Sequence, residues 1–387
     1  MSALPTTLPI DRNSILWAGI SWNHTGKHSA LAPLSREVAA VLPPGTVHRV
    51  DHIPEGWQTL DRLRGLLRKL LHRAATPSPA SIAREDGVPY YRDSAWPVER
   101  KIARLVTLAN PRAVFIEALE EQYYFLAQER QNWEHTRLFA IAHQPPAWWR
   151  VKGANSKIAA ALDTLIVVAE SMRLHWEQFL PANKIVVVPH GVDADFFLPA
   201  PPITDQRNGL RPLRAVLSGQ WLRDFETLAQ VVAMVEQRNL PICFDLIVPQ
   251  FARENQACYE IAMSQRVRWH ASLSDEQLRD VYRSADLLLM IMRDATANNG
   301  LLEGMACGLP VLVTDVGGVH DYAQPSFADV FPTRDPAAVI ACLEHHLANR
   351  DRLPARGAAA RQFVEQHLSW KRVAPRIARL LTPAGPH

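Results

Sequence analysis

Six consecutive apolar residues, Leu287 to Met292, constrain the fold most, because a run without polar alternation suits a parallel strand covered on both faces. The polar loop Arg293 to Gly300 follows. Leu301 to Cys307 then reads as a short helix stopped by Gly308 and Pro310, and Val311 to Thr314 as a second buried strand. This is a βαβ unit. In open parallel sheets ligands bind outside the carboxyl ends of the strands, and a helix N-terminus there, near Gly300, offers N–H groups to an anion. Glu303, one turn into the helix, either reaches back toward a ligand or complements the helix dipole, and Asn298 reads equally well as a cap.

At 387 residues the chain has room for two domains with cores of their own. Its formal charge of +3 is too small to argue for nucleic acid, yet suits an anionic cofactor or a lipid surface. Cys243, Cys258, Cys307 and Cys342 show neither CxxC spacing nor clustering with histidines, which argues against a disulfide framework or a zinc site. Without a signal-peptide pattern or an apolar run near ~18 residues, a cytoplasmic protein is expected. Leu60 to Arg73 is a basic amphipathic helix by pattern. It either packs its leucines inward or lies peripherally at the inner membrane surface.

In the N-terminal half, Ser14 to Ile20 reads as a first strand, followed by the loop Ser21 to His28 and a helix through Ala40. Gly26-Lys27 tempts toward a nucleoside-triphosphate P-loop, but Ser21 and His28 break that motif. Gly26 remains a turn glycine or a phosphate-facing one. Thr76 to Asp93 reads as irregular, and Ala113 to Ile116 and Leu138 to Ala142 as strands. The second strand ends at His143, a structural or a site histidine. Trp22, Trp148 and Trp149 fall in loops on the same sheet edge, where each either stacks on a ligand ring or is buried; His24 lies in the same loop as Trp22.

The segment Lys184 to Asp193 closes the first half, and Pro199 to Pro212 reads as linker. The expected domains are therefore 1–190 and 213–365, joined by a hinge at 191–212 and followed by a crossover helix at 366–387. Beyond the hinge, Leu213 to Leu217 starts a new strand, and Ser218-Gly219-Gln220-Trp221-Leu222-Arg223 opens a helix. Arg223 presents a fork suited to phosphate. Its alternative, a solvated arginine, is weakened because a cation at a helix start opposes the dipole.

The run from Asp294 through Glu303 to Pro310, continued by Thr314-Asp315-Val316-Gly317-Gly318, resembles the donor-binding segment of family 4 glycosyltransferases. The resemblance implies the GT-B fold, two α/β Rossmann-like domains facing across a cleft. It also implies sugar transfer with retention from a nucleotide diphosphate sugar, UDP- or GDP-linked, to a glycan, lipid-linked or small-molecule acceptor, without a catalytic metal. Glu303 matches the glutamate placed on the ribose. Ala295 stands where a second glutamate meets the donor sugar, and Asp294, one position earlier, is its substitute. Asn298, Asn299, Gly300 and Leu301 occupy the place whose amides meet the donor.

By the same resemblance Gly26 and Gly219 face the diphosphate and His143 faces the transferred sugar. Arg223 stabilises the leaving group, while Gln220 replaces a customary arginine. Trp22, His24, Trp148 and Trp149 are acceptor candidates. Asp193-Ala194-Asp195 spells the metal-binding DxD of another glycosyltransferase architecture, but its surroundings match a domain junction. A nucleotide-sugar epimerase and a non-catalytic nucleotide-sugar-binding protein are the rival readings.

Overall fold

The computed structural model describes residues 9–20, 26–52, 77–153, 156–201 and 211–382. Trp22, His24 and the stretch Leu60 to Arg73 lie outside them. The chain divides into two compact units, the first made of Met1–Thr25, Leu31–Pro189 and Ala374–His387, the second of Gly26–Ala30 and His190–Val373. Each holds one six-stranded, wholly parallel sheet.

Unit 1 contains β1 (Ile15–Ile20), β2 (Val47–His52), β3 (Ala113–Ile116), β4 (Arg137–Ala142), β5 (Thr164–Val167) and β6 (Ile185–Val187), in the order β2-β1-β3-β4-β5-β6. Every residue of β1, β3 and β5 is buried, as helices on both faces of a parallel sheet require. Trp17 and Phe115 are register partners across β1 and β3 and stack at 4.0 Å. Sequence reading had no signal for β2, because Val47-His48-Arg49-Val50-Asp51-His52 mixes charge into the strand, as edge strands do. It also took Thr76 to Asp93 as irregular. Instead Ser78 caps a helix, Pro79–Glu85, by accepting from the Ser81 N–H at 3.2 Å, with proline at the first helical position.

Unit 2 contains β7 (Leu213–Ser218), β8 (Ile242–Ile247), β9 (Val267–His270), β10 (Leu287–Met290), β11 (Val311–Thr314) and β12 (Ala328–Phe331), in the order β12-β11-β10-β7-β8-β9. Successive β10 residues feed opposite cores. Leu288 and Met290 pack with Leu302 and Met305, whereas Leu287 and Leu289 pack with Leu228 and Phe244. The helix expected after β10 spans Asn299–Ala306, and Gly308, at φ +78°, stops it. A β-carbon at Gly304 would fall 2.8 Å from Leu288 Cδ2, so glycine lets this helix lie close on β10.

Strand order reverses between β1 and β3 in unit 1, and between β7 and β10 in unit 2. Such reversals open a crevice at the carboxyl ends of the strands.

Candidate donor site and its counterpart in unit 1

In unit 2 the loops after β7 and β10 are zipped together. Asp224 N–H donates to Ile291 O at 3.0 Å, Arg293 N–H to Leu222 O at 2.9 Å, and Arg223 and Met292 form an antiparallel bridge. Within this frame Gly219 takes φ +90°, a conformation that side chains disfavour. Arg223 lies directly beneath it. A β-carbon on Gly219 would stand 2.7 Å from Arg223 Nη2.

Arg223 is only 7% exposed. Its Nε donates to Ser218 O at 2.9 Å, Nη1 to Trp221 O at 2.9 Å, and Nη2 to Asn298 Oδ1 at 3.0 Å and to Ser218 O. The sequence reading gave this fork to a phosphate. The structure turns it inward onto carbonyl groups, where it acts as a fixed positive charge under the Gly219 loop. Burial pulls its pKa down to about 10, which leaves it charged at neutral pH.

Asn298 joins the two loops. Its Oδ1 accepts from Arg223 and also from the Leu301 N–H at 3.2 Å, so it caps helix Asn299–Ala306 while holding the guanidinium. The Leu302 N–H is taken by Asn298 O. The N–H groups of Asn299 and Gly300 bond to no described acceptor, so they are the two free donors of this helix start. Gly300 is buried, and a β-carbon there would press on Ser218, 3.0 Å from its Cβ.

Glu303 is 5% exposed, and the phenol of Tyr282, itself fully buried, donates to its Oε2 at 2.9 Å. Burial pushes its pKa up to about 7, and the charge of Asp275 adds to that; the hydroxyls of Ser29 and Tyr282 oppose it. Ser29 Oγ is buried and makes no hydrogen bond of good geometry, so its effect on Glu303 is that of a nearby dipole. Ser29 belongs to the short segment Gly26–Ala30. There the His28 N–H donates to Asp275 Oδ2 at 3.2 Å, and His28 Nδ1 lies 2.7 Å from Asp193 Oδ2. Gly26 is packed so tightly on Asp275 that any side chain would collide with its carboxylate.

The remaining unit 2 candidates divide. Asp294 is half-buried and accepts from the Ala295 N–H at 2.8 Å. Ala295 is 4% exposed, and its carbonyl receives the Gly318 N–H at 2.9 Å. Asp193 binds His28 and Asp195 pairs with Lys371, so the DxD-like triplet is spent on two separate contacts.

In unit 1, His143 Nε2 lies 2.9 Å from Glu117 O, which requires the ring to carry its proton on that nitrogen. Burial lowers its pKa to about 4, against the pull of that carbonyl, so His143 is neutral at physiological pH. Its N–H donates to Glu120 Oε2 at 3.3 Å. Trp148 is half-buried, 4.9 Å from Trp149 and 5.6 Å from Tyr90 between ring centroids. Trp149 is 0% exposed and donates from Nε1 to Gln144 O at 3.0 Å. Of the two outcomes open to Trp149, a stacking ring or a buried one, the structure has the buried one, with the ring packed against Trp148.

Sequence reasoning missed Tyr282, Ser29, Asp275, Glu117 and Glu120. Only Glu117 carried a usable signal, an acid directly after a buried strand. Among the described residues no helix is long and apolar enough to cross a membrane.

The two parallel six-stranded sheets are those of the GT-B glycosyltransferase fold. HepE of Anabaena, solved in complex with UDP and glucose, aligns over 96% of this chain and 100% of its own at a TM-score of 0.65 and 12% identity. Residues 217–349, which include every unit 2 candidate from Gly219 to Glu303, match the family model described as Glycosyl transferases group 1. The chain thus carries a glycosyl transferases group 1 domain. It is 27% identical over 266 residues, 63% of its length, to D-inositol 3-phosphate glycosyltransferase of Thermobispora bispora, of which 61% is covered. It is 24% identical over 267 residues to a GDP-mannose-dependent alpha-(1-6)-phosphatidylinositol monomannoside mannosyltransferase of Mycobacterium tuberculosis, covering 64% of this chain and 69% of that one. The chain therefore spans about three fifths of the length of the first of these relatives.

Proposed function

We propose that this protein is a hexosyltransferase that moves a sugar, with retention of configuration and without a catalytic metal, from a nucleotide diphosphate sugar to a hydroxyl-bearing acceptor. The observation that carries the reading is the joined Gly219–Arg223–Asn298 arrangement at the β7/β10 switch point. Two N–H groups and a buried guanidinium concentrate positive potential at these strand ends.

In this reading the diphosphate lies over Gly219 with its oxygens on the Asn299 and Gly300 amides. As the sugar–phosphate bond breaks, negative charge grows on the departing diphosphate, and these fixed dipoles and the Arg223 charge stabilise it without rearrangement. Glu303 accepts hydrogen bonds from the ribose hydroxyls. His143, neutral by burial, serves the sugar as a hydrogen-bonding group and not as an acid. Trp148 presents a face to the acceptor.

The donor is a UDP- or GDP-sugar, in line with the UDP bound to the Anabaena neighbour and the GDP-mannose of the mycobacterial relative. The acceptor is a polyol, a glycan or a lipid-linked sugar, and the names of the two relatives favour an inositol-containing molecule. The reading also includes a cytoplasmic location with peripheral membrane contact through Leu60 to Arg73. Buried Ala295, which can offer the donor sugar no side-chain acceptor, favours one alternative, a non-catalytic nucleotide-sugar-binding protein.

The test is a thermal-shift and turnover screen of UDP-, GDP-, ADP- and TDP-sugars with the wild-type chain and Glu303→Ala. The expected result is stabilisation by one nucleotide class. Glu303→Ala should lose that affinity by about tenfold or more while folding normally. Binding without turnover across acceptors would favour the non-catalytic alternative, and no stabilisation by any donor would overturn the donor-site reading.

A further inference from the structure

We propose that Tyr282 is a positioning residue for the donor, fixing the Glu303 carboxylate in orientation and in its anionic form so that it selects a ribonucleotide, with both ribose hydroxyls, over a deoxyribonucleotide. The inference rests on the donor reading of Glu303 given above. The geometry that carries it is one buried hydrogen bond between two helices. Tyr282, on helix Asp275–Ser284, donates to Glu303 Oε2 at 2.9 Å, and the Ser218 hydroxyl, at the end of β7, acts on the phenol as a nearby dipole. Tyr282 is 0% exposed, and its ring is held edge-on to Phe197 at 6.3 Å, so the phenol has no freedom to follow a moving carboxylate.

A carboxylate that receives one fixed hydrogen bond on Oε2 keeps lone pairs in a set direction for a vicinal diol. A protonated carboxyl loses an acceptor and cannot grip both hydroxyls. Which form is present depends on the groups around Glu303. Burial favours the neutral acid, and Asp275 at the start of the Tyr282 helix favours it further. Tyr282 and Ser29 favour the anion. On its own helix, Cys307 lies within reach of the Glu303 charge and is a neutral thiol, its pKa pushed up to about 12 by burial. Arg223 faces Tyr282 from the β7 loop, but its N–H groups already serve Ser218, Trp221 and Asn298. The phenol is therefore the one direct donor to this carboxylate among the described residues, and the balance lies close to neutral pH.

The experiment is calorimetric titration of UDP and GDP, and of their 2′-deoxy forms, into the full chain from pH 5.5 to pH 9, for wild type, Tyr282→Phe, Ser218→Ala and Glu303→Gln. In the wild type, affinity for the ribonucleotide that binds should rise with a midpoint near neutral pH, and the 2′-deoxy form should bind more weakly and without that rise. Tyr282→Phe keeps the ring and its packing. It should move the midpoint upward by roughly one pH unit, weaken binding at pH 7 by about fivefold and leave a smaller deficit at pH 9, where only the orienting role is lost. Ser218→Ala should move the midpoint in the same direction by less, and serves if Tyr282→Phe does not fold. Glu303→Gln should bind weakly at every pH.

Superimposable profiles for wild type and the folded Tyr282 or Ser218 variant would overturn the proposal, as would equal affinity for ribo- and deoxyribonucleotide. Undiminished binding by Glu303→Gln would instead overturn the donor reading on which it rests.

Discussion

Where β1 and β3 part in unit 1, the first side chain beyond β3 is Glu117, fully buried, with its Oε2 accepting the Ile20 N–H at 2.7 Å and its Oε1 unpartnered. Where β7 and β10 part in unit 2, the strand ends hold Gly219, the Arg223 guanidinium and a helix start with two N–H groups that bond to no described acceptor. Glu120 adds a second buried carboxyl to the unit 1 edge, and Arg49, the nearest cation at 3.9 Å, is already engaged by Asp51 and Ser35. The two sheets offer equivalent crevices by topology, yet among the described residues the second presents the charge and amides that favour an anion. Strand order provides a place for a ligand, and the residues at the strand ends decide which ligand.

The largest expected effect tests the claim that Arg223 is a built-in charge. Arg223→Met removes four donated hydrogen bonds and strands the buried Ser218 carbonyl, so it should destabilise unit 2 by about 3 kcal/mol in urea unfolding as well as weaken donor binding. Wild-type stability with lost donor affinity would instead make Arg223 a direct phosphate ligand, and the contrast between the two edges would then rest on the helix start alone.

The acidic edge makes a prediction of its own. Burial pushes Glu99, Glu117 and Glu120 in unit 1 up to about 7, and Glu303 in unit 2 rises as far. Each keeps its proton to higher pH when folded than when unfolded. Their contribution to stability is thus complete below about pH 4.5 and is lost as pH climbs through about 7, at most about 3 kcal/mol per group. Melting temperature should fall between pH 5.5 and pH 8. Glu117→Gln keeps an acceptor for Ile20 and supplies a donor, so it should flatten that fall and stabilise the chain by about 1 kcal/mol at pH 8. An unchanged pH slope would mean that Glu117 does not hold a proton there.

The smallest effect sharpens the other side. Asn298→Ala loses the cap on Leu301 and one bond to Arg223, worth about 1 kcal/mol in chemical denaturation, and should weaken donor binding about threefold. A stability loss with intact binding would show that the free N–H groups hold their direction without the cap.

The local signals were legible in the sequence because each is set within a few residues. An unbroken apolar run reports a strand buried on both faces, so β1, β3, β10 and β11 could be read directly. Asn298, three residues before Leu301, is a cap whatever surrounds it, and Gly308 and Pro310 end the helix by backbone geometry alone. Edge strands such as β2 and β12 carry mixed polarity, since one side of each lacks a strand neighbour, and they gave no comparable signal.

What only the tertiary structure decided concerns direction and partner. The sequence offered Arg223 as a phosphate fork and Trp149 as a stacking ring; packing turned the first onto Ser218 and Asn298 and closed the second away. Arg223 meets Asn298 across 75 residues because β7 and β10 are neighbours, and Tyr282 meets Glu303 across 21 because their helices flank the same strands. Backbone propensity acts over one or two turns, whereas these contacts follow from strand order, which the burial of both whole sheet faces settles together.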